Sequence, residues 1–491
     1  MRIEAEHSSN LTRRSLLRTV IGGMATGVMP RGAWALSQPV SPLMTTLSNY
    51  MADARIRALP AEVAEKVKYH VLDTLAAMIS GADLPAGKAA TDFARYYGGK
   101  PVATVVASDI VCGSIEAALT NGTLAHSDET DDSHAPSQSH PGCAVVPAAL
   151  ALAEQFEAEG MQLLRAVALG YDVGTRIMMA FGGANFQTET HRSTHAVAGV
   201  FGASAAAASV ANLNAQQMRW TLDYAAQQAS GIAAWQSGTD HIEKAFVFGG
   251  MPARSGVTAA LLVQSGWTGV DDIVAGPDNL FVTFAPHAEP SSVVEELGHR
   301  YEVVRTNIKK WTVGSPIQAP LDAMETLFEK HHFQSEQVQK VTVRLATEQA
   351  AIVNNRDIPD ICLQHIVAIM MQDHTVSFRA AHDKFRMQDP AILSLRRKVD
   401  LMPDETLDRL LPQRVAVVEI LLTDGSHFVE RVDAVRGTAQ NPMTQNEVVA
   451  KCRELIAPVL GEANGTKLIN KVLAIETVKN LRELRPLLCR A

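Results

Sequence analysis

The sequence is poor in the features that mark several large classes of protein. Its five cysteines are scattered without a Cys-x-x-Cys pair, which argues against a disulfide framework and against a cysteine-based zinc site. It has neither GxGxxG nor GxxxxGK[ST], the glycine patterns that hold nucleotide phosphates, and no GxSxG nucleophile elbow. The net charge of −8 gives no indication of nucleic acid as a partner.

What remains is a composition suited to a large folded core. Of the 491 residues, 47% are hydrophobic, 20% are charged and only 5% are aromatic. Such a chain is typical of a soluble globular protein, and its length suggests about two or three domains.

The first 35 residues have the pattern of an export signal. TRRSLLR at residues 12–18 resembles a twin-arginine motif, a weakly apolar stretch follows at residues 20–29, and Ala-Trp-Ala at 33–35 is a small-x-small cleavage site. The apolar stretch is too short and too rich in glycine to span a bilayer. We therefore predict a twin-arginine signal peptide over residues 1–35, a periplasmic mature protein, and no membrane attachment after signal removal.

Hydrophobic spacing predicts a mostly α-helical protein with an inserted α+β lid domain. Up to about residue 275 the patterns are helical, including an Ala-, Gly- and Ser-rich helix at 194–213 that neighbouring helices can approach closely. Strand-like alternation follows at 301–308 and 338–346, and Asp424-Gly425 indicates a hairpin. The predicted domains are residues 36–275 (helical, first part), 276–436 (α+β lid) and 437–491 (helical, C-terminal part). A cleft between the domains is a natural place for a ligand.

Titratable residues are densest in the stretch 121–147, NGTLAHSDETDDSHAPSQSHPGCAVVP. It contains His126, His134, His140, Asp128, Glu129, Asp131 and Asp132. Histidine and aspartate are ligands for zinc or a hard divalent ion, but these histidines fit neither an HxxxH nor a His-x-His spacing, so no metal is predicted. Cofactor-free acid–base chemistry is favoured, because imidazole titrates near neutral pH and carboxylates orient it. The structural alternative is a capped, solvated loop.

A second polar cluster is THRSTH at residues 190–195, directly before the small-residue helix. His191, Arg192 and His195 lie where an anion could meet a helix N-terminus. The alternative is a polar helix cap with a surface arginine.

Two lysines complete the candidate residues. Lys244 stands shortly before the Gly249-Gly250 pair, and Lys309 leaves the predicted strand at 301–308. Either ammonium could bind a carboxylate, whereas the alternative is an ordinary surface lysine.

NGTLAHSDETDDSHAPSQSHPGCAVVPAALALAE resembles the signature region of the MmgE/PrpD family, whose members include 2-methylcitrate dehydratases, cis-aconitate decarboxylases and an epimerase. DYAAQQASGIAAW, ARSGVTAALLVQSGWTG, NIKKWTVGSPIQAPLDA and DICLQHIVAIMMQD follow in the family's order. The resemblance covers essentially the whole mature chain. It implies a two-domain architecture with the active site between the domains, a homodimer, and cofactor-free chemistry on small polycarboxylates.

The resemblance also implies roles for individual residues. His140 is similar to the histidine of the family's His-Pro-Gly/Ser motif, Ser133 stands where a threonine is common, and Glu129 stands where many members have aspartate. Lys244 resembles the lysine ahead of a glycine in the next motif. Lys309 resembles the lysine that begins a KPYP-like segment.

The sequence also departs from the family's pattern. Either His191 or His195 takes the place of the histidine in a His-x-Thr motif. Gln318 stands where a histidine is frequent, Thr312 replaces a proline, and His365 stands where some members carry a tyrosine. These differences leave the substrate and the reaction type open.

We predict a lyase that acts on a small di- or tricarboxylate, as a dehydratase or a decarboxylase, by moving a proton next to a carboxylate. The alternatives are an epimerase or isomerase, a non-catalytic periplasmic carboxylate-binding protein, and a metal-dependent hydrolase. The predicted catalytic residues are His140, His134, His195, His191, Glu129 and Ser133. The predicted substrate-binding residues are Lys244, Lys309, Arg192, Asp131, Gln318 and His365.

Overall fold

The computed structural model describes residues 39–238 and 240–490, so the predicted signal peptide at residues 1–35 lies outside the described residues. The protein is mostly helical (61%) with two small sheets, and the predicted fold class is confirmed. The helices are α1 (Pro42–Ala54), α2 (Ala61–Gly81), α3 (Pro85–Tyr97), α4 (Ser114–Ala125), α5 (Gly142–Gln155), α6 (Gly160–Ala180), α7 (Ala184–Thr190), α8 (Thr194–Val210), α9 (Ala215–Gln228), α10 (Ile242–Ala245), α11 (Met251–Gln264), α12 (Leu280–Phe284), α13 (Gln318–His331), α14 (Thr347–Val353), α15 (Leu363–Asp373), α16 (Phe378–His382), α17 (Pro390–Arg396), α18 (Glu405–Asp408), α19 (Gln445–Leu460), α20 (Glu462–Leu473) and α21 (Arg485–Leu488). The strands are β1 (Ala103–Thr104), β2 (Val111–Cys112), β3 (Val338–Leu345), β4 (Val399–Pro403), β5 (Ala416–Leu422) and β6 (His427–Val432).

The small-residue helix α8 lies at the centre of the first domain, packed against α6, α11 and α5. Its small side chains let the neighbouring backbones come close. A Cβ atom on Gly202 would lie 2.8 Å from the Gly170 carbonyl oxygen of α6, and one on Gly256 of α11 would lie 2.5 Å from the Ala203 carbonyl carbon. Glycine is required at these contacts because any larger side chain would force the helices apart.

Both ends of the chain contribute to this first core. Its buried residues run from Met44 to Ile308 and again from Met443 to Leu488. A buried ion pair joins the two parts, since Lys451 Nζ of α19 lies 2.6 Å from Asp73 Oδ1 of α2. The C-terminal helix α19 therefore packs against α2 as part of the first core.

The helical run Ile242–Gln264 is unusually long and apolar. Its 23 residues are apolar enough to cross a membrane by length and composition, but 72% of its most apolar window is buried inside the protein. It packs as a core helix of the first domain, through contacts with α8, α4 and α9.

The second domain has its own core, formed by residues between Trp311 and Val435. Its sheet has the order β4-β3-β5-β6, in which β3 and β4 are parallel and the other two pairs are antiparallel. The predicted hairpin at Asp424-Gly425 is confirmed as the β5–β6 turn. Strand β4 was not predicted from the sequence.

The prediction of a strand at residues 301–308 is wrong. Glu302–Arg305 forms a turn of 3₁₀-helix instead. Tyr301, Glu302 and Val303 are buried in succession, so burial does not alternate as it would along a one-sided strand. Glu302 is fully buried; its backbone N–H donates to Asp172 Oδ1 at 2.7 Å, and its carboxylate accepts from Arg300 at 2.9 Å.

Candidate active site

The loop between α4 and α5, residues 126–141, is largely buried rather than solvated. Asp132 fixes its fold. One oxygen of Asp132 accepts a hydrogen bond from the backbone N–H of Gly142 at 2.9 Å, at the N-terminus of α5. The other oxygen lies 2.8 Å from His70 Nδ1 and accepts a hydrogen bond from the Tyr171 hydroxyl. This carboxylate therefore anchors the loop to α2, α5 and α6.

A backbone bridge joins the loop to the segment that carries Lys309. Ser133 and Asn307 exchange two hydrogen bonds, of 3.0 and 2.8 Å. Two residues later, Lys309 Nζ donates to the Glu129 carbonyl oxygen at 2.7 Å. The bridge thus places a buried ammonium group against the acidic part of the loop.

Asp131 holds two histidines through one oxygen. Its Oδ1 lies 3.0 Å from His126 Nδ1 and 3.1 Å from His140 Nδ1, and Lys309 Nζ lies 3.9 Å from the same atom. Asp131 and His126 are fully buried, and His140 is 8% exposed. The two imidazole rings meet nearly edge to face, with centroids 5.1 Å apart.

Phe248 forms the floor under the histidines. The His195 ring stacks on it at a centroid distance of 3.7 Å, and the His126 ring stacks at 4.5 Å. Phe248 belongs to a π-helical turn, Phe246–Gly250, that joins α10 to α11, and such turns are frequent at functional sites. The turn lies tightly on α4, since a Cβ on Gly249 would lie 2.0 Å from the Gly122 carbonyl oxygen.

Glu129 is the centre of a network of cations. Lys244 Nζ contacts its Oε1, and His241 Nε2 lies 4.0 Å from the same oxygen. Lys309 Nζ lies 3.7 Å from Oε2. His241 precedes α10 with φ = 65°, a left-handed conformation that is uncommon for a residue other than glycine. That conformation directs a buried imidazole towards the carboxylate.

The charges of these groups follow from their surroundings. Burial opposes ionisation of both carboxylates, but Lys244 and Lys309 hold the pKa of Glu129 well below its usual value, and His126 and His140 do the same for Asp131. Burial lowers the pKa of His140 to about 4, against the opposing effect of Asp131. At neutral pH, His140 is therefore neutral and lies beside the ionised carboxylates of Glu129 and Asp131.

The other two histidines are also held neutral. Burial, with the nearby His140, keeps the pKa of His195 well below its usual value. Burial, with the charge of Lys244, lowers the pKa of His241 to about 3. Imidazoles of this kind can accept a proton from a substrate at neutral pH.

The comparison with known proteins places this site in a family. Models of the MmgE/PrpD N-terminal and C-terminal domains match residues 45–292 and 311–475, respectively. The chain belongs to the MmgE/PrpD family. The resemblance read from residues 121–147 is thereby confirmed, and the two matched regions correspond to a two-domain MmgE/PrpD architecture.

Relatives of the chain within the MmgE/PrpD family are named as decarboxylases. It is 24% identical to a cis-aconitate decarboxylase-like protein oryM of Aspergillus oryzae (92% of this chain, 98% of the relative). It is 24% identical to a cis-aconitate decarboxylase of Aspergillus terreus (92% and 97%) and 25% identical to one of Homo sapiens (88% and 90%). These relatives support a lyase-like enzyme.

The structure gathers about half of the residues predicted from the MmgE/PrpD pattern. The predicted residues that meet around Phe248 and the loop are His140, His195, Glu129, Asp131, Lys244 and Lys309. Their roles stay predictions, but their side chains share one cluster, in which His195 and Lys244 are partly buried and the others are buried. We call these six residues, together with His126 and His241, the histidine–lysine cluster.

Other predicted catalytic residues lie in different surroundings. His134 is buried between Ser137 Oγ at 2.8 Å and Glu302 Oε2 at 3.3 Å, so both ring nitrogens have partners. Ser133 serves the loop through its backbone bridge to Asn307. His191 is exposed at the end of α7 with φ = 57°.

Three predicted substrate-binding residues are likewise engaged elsewhere. The Arg192 guanidinium lies 4.4 Å above the Phe284 ring. The Gln318 side chain accepts from Trp311 N–H at 3.1 Å and donates to the Val313 carbonyl oxygen at 3.0 Å, which shapes the turn after Lys309. His365 is fully buried in the core of the second domain, on α15.

Four residues in or beside the cluster were not among the predicted site residues. Two of them, His126 and His241, belong to the cluster itself. Arg414, just before β5, is partly exposed, and burial lowers its pKa to about 10 against the opposing effect of Glu129. His382 of α16 binds the loop from the second domain, with Nε2 2.9 Å from Asp128 Oδ2. Local sequence carried no signal for the last two, since only the tertiary fold brings them to the loop.

Two groups of side chains have the spacing of metal ligands. They are His126, Asp131 and His140, and His126, Glu129 and His241, with the ligand atoms of each group within 4.8 Å of one another. Both carboxylates, however, already lie beside ammonium groups, since Lys244 contacts Glu129 and Lys309 lies 3.9 Å from Asp131. A cation bound here would meet that positive charge at close range.

Proposed function

We propose that the protein is a cofactor-free lyase that moves a proton on a carbon next to a carboxylate of a small di- or tricarboxylate. The observation that carries this proposal is the pair of imidazoles held by one oxygen of Asp131, beside the buried Lys309 and the partly buried Lys244. The names of the similar proteins support a carboxy-lyase or a hydro-lyase in particular.

The shared carboxylate determines where the proton goes. Because ionised Asp131 can only accept hydrogen bonds, His126 and His140 must each carry a hydrogen on Nδ1. Because burial lowers the pKa of His140 to about 4, its ring is neutral at neutral pH and its Nε2 has a free lone pair. We assign His140 Nε2 as the base, with Asp131 as the group that fixes its tautomer. His195 lies next to it, with ring centroids 5.1 Å apart, and the protonated His140 is itself the group that can give the proton back.

The lysines provide the positive charge that the reaction needs. An ammonium group binds a substrate carboxylate, and the same group stabilises the negative charge that builds up when the neighbouring carbon loses its proton or its carboxylate. Lys244 and Lys309 flank the histidines from two different segments of the chain, which suits a substrate with two acid groups.

The reaction type depends on which bond of the substrate breaks. Loss of hydroxide after proton removal is a dehydration, and loss of carbon dioxide followed by protonation is a decarboxylation. Return of the proton to the opposite face is an epimerisation, which remains the alternative reaction. All three move a proton between an imidazole and the carbon next to a carboxylate, and all three need a cation at that carboxylate: the imidazole removes the proton in dehydration and epimerisation, and the imidazolium supplies it in decarboxylation.

A panel of di- and tricarboxylates, assayed for both binding and turnover, tests the proposal. We expect at least one member to bind and to be converted by protein freed of metal with a chelator. Binding without turnover across the panel would identify a non-catalytic carboxylate-binding protein. Stoichiometric metal that is required for activity would instead favour the hydrolase alternative on the two ligand groups around His126.

Location remains a proposal based on sequence alone. The twin-arginine pattern at residues 12–18 supports export to the periplasm. Detection of the folded protein in the periplasmic fraction, and its retention in the cytoplasm after Arg13→Lys and Arg14→Lys, would test it.

A further inference from the structure

Glu129 occupies the position in the cluster where a substrate carboxylate is expected. Its side chain is 4% exposed. One of its oxygens contacts Lys244 Nζ and lies 4.0 Å from His241 Nε2, and the other lies 3.7 Å from Lys309 Nζ. The two lysines that the proposed function assigns to substrate carboxylates therefore already hold a carboxylate of the protein itself.

The local charge balance makes this competition matter. Lys244 and Lys309 bring two positive charges, and Glu129 and Asp131 bring two negative charges at distances of up to 3.9 Å. A substrate with two or three carboxylates would add further negative charge to a buried site that is already neutral. Such burial is unfavourable unless each added carboxylate gains a cation of its own.

The two lysines differ in how tightly the loop holds them. Lys309 is 3% exposed and donates to the Glu129 backbone carbonyl at 2.7 Å, so it keeps a partner wherever the Glu129 side chain points. The Lys244 ammonium is held by the Glu129 carboxylate and also faces the rings of Trp235 and Phe248, at 5.3 and 5.2 Å. Lys244 is thus the cation that becomes free when Glu129 moves.

We propose that Glu129 is a specificity-determining residue that occupies the Lys244 carboxylate subsite and must be displaced by the substrate. The inference rests on the proposed function, because it assumes that Lys244 binds substrate. It follows that Glu129 lowers affinity most for ligands with several carboxylates, since these need Lys244 as well as Lys309. A monocarboxylate can bind beside Lys309 without displacing Glu129.

Calorimetric titration with acetate, succinate and propane-1,2,3-tricarboxylate tests the inference. We expect Glu129→Gln to bind succinate and the tricarboxylate about tenfold more tightly than the wild type, with a much smaller change for acetate, because one charge-assisted contact no longer has to be broken. In a Lys244→Gln background the same substitution should give no gain. Glu325→Gln, which removes a surface partner of Lys310, is the matched control for net charge and should bind as the wild type does.

The outcomes separate this inference from the proposed function. If the wild type binds the tricarboxylate but Glu129→Gln binds it equally or more weakly, while circular dichroism shows an intact fold, the competition is refuted and the proposed function stands. If Glu129→Gln gains affinity equally for acetate, the effect is general electrostatics and the subsite assignment is wrong. If no variant binds any polycarboxylate, both proposals fail.

Discussion

At the scale of single residues, the proposed chemistry depends most on Asp131. It is fully buried and sets the tautomers of His126 and His140 through one oxygen. The other histidine–carboxylate pairs of the loop do different work: Asp132 with His70 anchors the fold, and Glu302 with His134 stabilises a turn. The same pair of residue types thus holds the loop in place at two positions and, in the proposed function, orients a base at a third.

Asp131→Asn tests the tautomer argument. The amide can donate to Nδ1 and so stabilise the wrong tautomer, with hydrogen on Nε2. We expect kcat on a turned-over polycarboxylate to fall by about a hundredfold or more, while KM changes much less. Asp223→Asn, at a buried carboxylate that bonds the Val270 backbone N–H, is the control for loss of a buried acid. An Asp131→Asn enzyme with normal kcat would refute the assignment.

The pH dependence of the wild-type rate follows from the pKa of His140, the base that Asp131 orients. The base must be neutral to accept a proton, and burial lowers the pKa of His140 to about 4. The rate should therefore rise with pH through about 4 and then stay level towards neutrality, in kcat measured at saturating substrate. An acid limb near the ordinary histidine pKa would show that a less buried imidazole is the base.

At the scale of elements, α16 links the second domain to the loop at residues 126–141. His382 lies between Asp128 Oδ2 at 2.9 Å and Asp360 Oδ2 at 3.8 Å, and its Nδ1 lies 2.7 Å from the Phe378 carbonyl oxygen. Burial opposes its charge, but Asp128 and Asp360 outweigh burial and raise the pKa to about 9. The imidazolium is thus an ionic link between loop and lid at neutral pH.

This link predicts a pH-dependent stability. Because the folded pKa of His382 is above its unfolded value of about 6.5, the stabilisation is complete below pH 6.5 and is lost as pH rises through about 9, on the order of 3 kcal/mol. The melting temperature of the wild type should fall across this range, and His382→Gln should lower it at pH 6.5 and flatten the slope. His427→Gln, at an exposed pair with Glu419, should leave the slope unchanged. An unaltered slope in His382→Gln would refute the link.

The sequence predicted elements better than it predicted the site. Small residues at 194–213 and the Asp424-Gly425 hairpin carry local signals, so α8 and the β5–β6 turn lie where expected. His140, Lys244 and Lys309 were identified by their place in motifs. Arg414 and His382 reach Glu129 and Asp128 only through the packing of the second domain, which no local pattern encodes.

The strand predicted at 301–308 failed for a related reason. Alternation of polar and apolar residues reads as a strand when only hydrophobicity is considered, but here Glu302 is buried together with its neighbours Tyr301 and Val303. Its carboxylate pairs with Arg176 of α6 as well as with Arg300 close by in the chain. A buried polar residue at this position is not visible to a pattern based on hydrophobicity.

At the scale of the whole molecule, one exposed apolar face suits association with a second copy of the chain. On α3, Phe93, Tyr96 and Tyr97 are 45%, 84% and 66% exposed. The helix α10 packs on α3, and Phe246, directly after α10, is 38% exposed. We expect a homodimer that buries this face. Light scattering should give about twice the chain mass, and Tyr96→Glu with Tyr97→Glu should give a monomer, whereas the exposed double change Lys340→Glu with Arg431→Glu should not. A wild-type monomer would contradict the expectation.

The dimer would also bear on the active site, since α10 carries Lys244. A partner packed on α3 and α10 would restrict the movement of the helix that holds this lysine. Loss of the dimer should therefore raise KM for a polycarboxylate more than it lowers kcat.

The most direct test of the central claim is proton NMR of di- and tricarboxylates incubated with the metal-free protein in deuterated water. The account predicts that deuterium enters at a carbon next to a carboxylate of at least one compound, with or without net conversion. It also predicts that His140→Ala, folded by circular dichroism, abolishes the exchange. Absence of exchange and of turnover across the panel, or exchange that persists at the wild-type rate in His140→Ala, would contradict it.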